Sequence, residues 1–192
     1  TGNDLLRYLD TTTGMISTFA GNGVRGYSGD GGLAIDAQLN HLGGTAFDSQ
    51  GNVYIAGYLN HTVRKIDATT GIITTIAGTA DTSGFSGDGG LAIDALMLAP
   101  RAVAVDANDN VLVADWRNHR IRRIDNTTGI MTTVVGTGVA GYSTGNALSS
   151  MLNEPQALTF DKDGNLLIGT GDHIMSRVSV SPAVITDVPY AL

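Results

Sequence analysis

Between Arg101 and Val135 the apolar residues fall into four short runs, each closed by Asp, Asn, Gly or Thr. Runs of that length bounded by turn residues predict β-strands. The second run, Val111 to Ala114, has no polar alternation and is expected to be covered on both faces. The third, Arg120 to Ile124, alternates Ile with Arg. There Arg122 and Arg123, like Arg64 and Lys65 one unit earlier, are expected to snorkel from an outer strand. The fourth, Ile130 to Val135, is rich in Thr and β-branched residues, which suits an outer strand with one edge near water.

This pattern recurs. Asp48 and Asp106, Asn60 and Asn118, and Asp67 and Asp125 are each 58 residues apart, and His173 follows His119 by 54. First strands are expected at Thr45–Phe47, Ala102–Val105 and Ala157–Phe160, each followed by an Asp-to-Asn turn. The first 19 residues match only the second half of a unit: Asp10 to Gly14 aligns with Asp67 to Gly71. A connection of over twenty residues joins successive units. It carries Ser28-Gly-Asp-Gly-Gly and its copy at Ser86, then a Leu/Ala/Ile spacing that predicts one or two helical turns. The third copy, from Ser143, has lost the Gly-Asp-Gly-Gly core.

Four-stranded antiparallel units at fixed spacing predict an all-β fold of β-propeller blades. Three complete blades and a half blade are expected: 1–19 (half), 20–76, 77–134 and a divergent 135–192. A single such sheet cannot bury both faces, so neighbouring blades must cover one another. Propellers close with roughly four to eight blades. Completion is therefore expected from upstream blades or from self-association.

At Asn60-His61-Thr62, Asn118-His119-Arg120 and Asp172-His173-Ile174 the unit resembles the NHL repeat, a propeller blade named for an Asn-His-Leu stretch. Val113 to Asp125 is the closest match, and Asp115 is the family-like acid where the other units carry Gly57 and Gly169. The resemblance implies the fold strongly. It implies function weakly, because the family includes binding scaffolds, sensor domains and a few lyases.

Composition narrows the chemistry. A net charge of −7 argues against nucleic acid or an anionic membrane as partner. No apolar run is long enough to insert in a bilayer. The absence of cysteine excludes disulfides and thiolate sites, and is compatible with an extracellular or cell-envelope location. No nucleophile elbow, zinc helix or phosphate loop occurs, and nothing requires an organic cofactor or metal.

Hairpin geometry puts the long connection and the turn between strands two and three at one end of each blade. That face is expected to carry Asp30, Asp88, Tyr58, His61, Trp116, Arg117, His119 and His173, the candidate partner-binding residues. The repeated histidines are expected to serve each blade structurally, since what recurs once per blade does a task once per blade. His41 has no counterpart at its position and stands apart. The expectation is a non-enzymatic scaffold that binds protein or carbohydrate. The alternative is a propeller lyase or lactone hydrolase with a divalent metal near the axis. For that chemistry the first strands offer poor ligands: Thr45, Ala102, Ala104, Ala157 and Thr159.

Overall fold

A computed structural model gives the fold and describes residues 3–179 and 183–188. The last unit reads Val180-Ser-Pro-Ala183 where the others carry a Thr-Thr-Gly turn, and residues 180–182 of it lie outside the described residues. The half blade is the hairpin β1 (Leu6–Leu9) and β2 (Ile16–Ala20). The first full blade holds β3 (Leu42–Phe47), β4 (Val53–Gly57), β5 (Thr62–Ile66) and β6 (Ile73–Ala77). The second holds β7 (Pro100–Val105), β8 (Val111–Asp115), β9 (Arg120–Ile124) and β10 (Met131–Val135). In the third, a short β11 (Gly145–Asn146) joins β12 (Pro155–Phe160), β13 (Leu166–Thr170), β14 (Met175–Val178) and β15 (Val184–Asp187).

The turns hold for the reason the sequence suggests. Asp48 Oδ1 accepts the amides of Gln50 and Asn52, and Asp106 and Asp161 repeat the arrangement. The Asn52 and Asn110 side chains then accept the amides of Ala68 and Asn126, tying that turn to the next hairpin. The first strands begin two or three residues earlier than expected. A bulge between Leu42 and Thr45, repeated at Pro100/Ala102 and Pro155/Ala157, carries the pairing past the break in pattern.

The core lies between blades. Strand β4 is buried on both faces: Val53 and Ile55 pack toward the half blade with Ala37 and Leu39, while Tyr54 and Ala56 pack against Val103, Val111 and Val113 of the second blade. One blade on, Leu112 and Ala114 pack against Leu166 and Ile168 of the third. Alternate residues of one strand thus seal two different interfaces. No helix among the described residues is long and apolar enough to cross a membrane.

Two expectations are corrected at the outer edge. The glycine-rich connection is bridged to the fourth strand rather than standing as a loop on the candidate face. Gly31 N donates to Ile73 O and Gly32 O accepts from Ile73 N, with the same exchange between Gly89, Gly90 and Met131. In the third blade β11 takes that place on β15. The open edge of each full blade is therefore covered. Arg64 and Arg122 do not snorkel. They are 3% and 0% exposed, because the bridged connection closes over them.

Arg122 donates to Asp88 Oδ1, Leu96 O and Ser86 O, and Arg64 repeats this with Asp30, Gln38 O and Ser28 O. Their counterpart in the third blade is the buried Ser176. With no guanidinium to satisfy, that blade's connection has no use for the Gly-Asp-Gly-Gly core it lacks.

Candidate functional site

The turns after β4, β8 and β13 and the starts of β3, β7 and β12 meet at one end of the blades, as the pairs Leu42–Gly57, Pro100–Asp115 and Pro155–Thr170 require. Asp4, His61, His119 and His173 share a left-handed backbone (φ +49, +60, +53 and +65) at equivalent turn positions. Three of these side chains latch onto the next blade. Asp4 Oδ1 accepts from His41 N at 2.9 Å, His61 Nδ1 from Ala99 N at 3.1 Å, and His119 Nδ1 from Glu154 N at 3.2 Å. The receiving residues are left-handed too. His173 makes no ring hydrogen bond to any described residue, and it does not join the cluster described below.

The latch requires a neutral imidazole. Burial lowers the pKa of both His61 and His119 below the ordinary 6.5. For a base depressed in the folded state, the stabilisation is present above 6.5 and is lost as pH falls through the folded value. His119→Ala should destabilise the chain by about 1–2 kcal/mol. His119→Asn should lose less, because Asn tolerates positive φ and keeps an acceptor, as Asp4 does in the half blade. Urea midpoints from pH 7.5 to 5 check this: the native advantage over His119→Asn should shrink on acidification. An advantage that grows would refute the latch.

Asp115 has a different task. Its carboxylate is fully buried and accepts from Leu98 N and Asn118 Nδ2, each at 2.8 Å. Burial pushes its pKa up to about 6, against the opposing pull of these bonds and of Arg122 at 3.7 Å. It anchors the approach to β7 and faces no opening.

Asp30 and Asp88 lie elsewhere. Bound to Arg64 and Arg122 on the outer edge, they are not part of this face. What the structure does bring together is Tyr58, Trp116 and Arg117. The rings of Tyr58 and Trp116 stand 5.5 Å apart at 41°, one from each of two blades. The Arg117 guanidinium lies 3.9 Å from the Trp116 ring and donates to Glu154 Oε1 of the third blade at 2.7 Å. Arg101, at the start of β7, approaches the same ring at 5.1 Å. Trp116 is thus a spacer between two cations rather than an open stacking surface, and it is 8% exposed.

Beside this group a cavity of about 380 Å³ opens between the inner strands, lined by His41, Leu42, Gly43, Tyr58, Arg101 and Gln156. Arg101 and Gln156 stand one residue before the expected first strands and are not among the candidates named above. Their signal was available: with Gly43 they occupy equivalent positions in the three blades, and the three residues differ. Among the described residues no three His, Cys, Asp or Glu side chains gather as a metal-binding group.

Residues 98–124, spanning the Asp115 anchor, Trp116 and the His119 latch, match the NHL repeat model. That stretch is an NHL repeat, set in a chain built of propeller blades. A curated relative with the same repeats, NHL repeat-containing protein 2 of Bos taurus, is 33% identical over 96 residues, covering 49% of this chain and 13% of that protein. The chain spans only 12 to 13% of the curated relatives it matches. Among solved structures, an auxiliary nutrient binding protein from Bacteroides ovatus aligns with a TM-score of 0.68 at 19% identity, over 97% of this chain and 44% of that one. A streptogramin B lyase aligns with a TM-score of 0.55 at 14% identity, over 98% of this chain and 49% of that one. At such identities the likeness is one of fold. The second full blade is therefore placed by sequence match and architecture together, and its neighbours by architecture.

Proposed function

We propose that this chain is a non-enzymatic interaction module, holding a protein or carbohydrate partner at the end of the NHL blades where Tyr58, Trp116, Arg117 and Arg101 meet. The observation that carries this reading is that the cluster is assembled from two blades and tied to a third through Glu154, while the residues that hold the blades together recur from blade to blade. The supply of donors favours binding over a metal-dependent lyase or lactone hydrolase. Arg101, Gln156 and Tyr58 line the opening, and the nearby carboxylate of Glu154 is engaged by Arg117. The auxiliary nutrient binding protein of the same fold is consistent with a binding role. A location outside the cytoplasm suits the cysteine-free sequence.

Glycan and peptide arrays probed with the native chain, Tyr58→Ala, Arg117→Ala and Gln50→Ala test this. Gln50 lies in the turn at the opposite end, between β3 and β4. Signals given by the native chain should fall about tenfold or more in the first two variants and persist in the third. Signals indifferent to Tyr58 and Arg117 would place the site elsewhere.

A further inference from the structure

We infer that the cavity between the inner strands binds a uronic-acid unit of an acidic oligosaccharide, with Arg101 taking the carboxylate. This rests on the binding reading above and names its ligand class.

Arg101 is the residue that points there. Arg64, Arg117, Arg120 and Arg122 each donate hydrogen bonds to carboxylates or carbonyls. Arg101 donates none to any described residue, although it is half-buried and held over the Trp116 ring at 5.1 Å. A guanidinium fixed by a ring but left with its hydrogen-bonding fork unmatched suits a planar anion, which it can bind through two parallel bonds. Glu154, an acid at the start of the third blade, already pairs with Arg117 at 2.7 Å.

Repetition gives a second, independent argument. The guanidiniums that build blades occur in register at positions 64 and 122, whereas the positions equivalent to Arg101 carry Gly43 and Gln156. Arg101 is therefore not a requirement of the blade. Gly43 is also fixed in size: a Cβ there would stand 2.3 Å from Arg101 O, so the first blade can offer no side chain at this position.

Shape and lining favour a saccharide over an acidic peptide. The volume of about 380 Å³ lies within the roughly 300–1,000 Å³ of small-molecule sites. Gln156, Tyr58 and His41 provide amide, phenol and imidazole groups suited to hydroxyls. An extended peptide binds by adding to an open sheet edge, and the outer edges of the three full blades are already covered.

Matched pairs test the inference. Galacturonate, glucuronate and mannuronate oligosaccharides, each with its carboxyl-methylated counterpart, are titrated calorimetrically against the native chain, Arg101→Lys and Arg101→Gln. A hexaglutamate peptide serves as the competing class. At least one uronate should bind, with methylation and Arg101→Gln each weakening it about tenfold to hundredfold. Arg101→Lys should fall between, and Arg101→Gln should no longer distinguish acid from ester. An unchanged urea midpoint for Arg101→Gln shows that the loss is not unfolding. Equal binding of acid and ester would overturn the inference, as would tighter binding of hexaglutamate or silence from every uronate. If the uronates are silent while array signals still depend on Tyr58 and Arg117, the binding module stands and only its ligand class falls.

Discussion

Arg122→Ala is expected to lower the unfolding free energy by about 3–5 kcal/mol, the range for removing one partner of a buried ion pair. Arg122 is completely buried, and its guanidinium satisfies Asp88 together with the carbonyls of Ser86 and Leu96. Truncation leaves those acceptors dry and unpaired, opens a hole under Phe85, whose ring the guanidinium faces at 5.0 Å, and unfastens the bridged connection. The adjacent Arg123 is the control. It is half-buried and makes no hydrogen bond to any described residue, so Arg123→Ala should cost well under half as much. Chemical denaturation of both variants decides it. Equal losses would mean that the connection does not depend on its arginine.

Gly43→Ala is the second large effect. A methyl group at this position would lie 2.3 Å from Arg101 O and 2.9 Å from its carbonyl carbon. The obstacle is backbone, which cannot rotate aside. Strands β3 and β7 must separate near the axis, and the packing of Tyr58 on Trp116 must loosen with them. Overpacking of this kind costs about 1–3 kcal/mol. Tryptophan fluorescence should report it, because Trp116 is the only tryptophan and sits at that seam. An unchanged spectrum together with an unchanged urea midpoint would show that the two blades do not approach as described.

Much of the fold was legible because turns are local. Asp48, Asp67 and their repeats hydrogen-bond to amides two to four residues away, so the sequence near each turn carries the whole signal. The histidine latch was legible only as a repeat, since its partner amide lies 35 to 38 residues on. The bridging of the glycine-rich connection was hidden. Its pairing is made by backbone across the Asp30 connection, and the Gly-Asp-Gly-Gly composition that allows it reads as a turn. That in turn concealed the burial of Arg64 and Arg122, because an Ile-Arg-Arg-Ile run looks the same whichever arginine is covered. Tyr58, Trp116 and Arg117 were legible because hairpin geometry puts their turns at one end of the blades. Arg101 and Gln156 were missed because the bulged strand starts reach further back than the apolar runs, and only comparison with Gly43 marks them out.

The blades hold two kinds of polar residue, those that fasten the scaffold and those left free for a partner. One urea-denaturation series tests that division: the midpoints of Arg122→Ala, His119→Ala, Arg101→Gln and Gln156→Ala beside the native chain. The account predicts a large fall for Arg122→Ala, a smaller fall for His119→Ala, and midpoints indistinguishable from native for Arg101→Gln and Gln156→Ala. A fall for Arg101→Gln as large as that for Arg122→Ala would contradict it, because Arg101 would then be part of the scaffold.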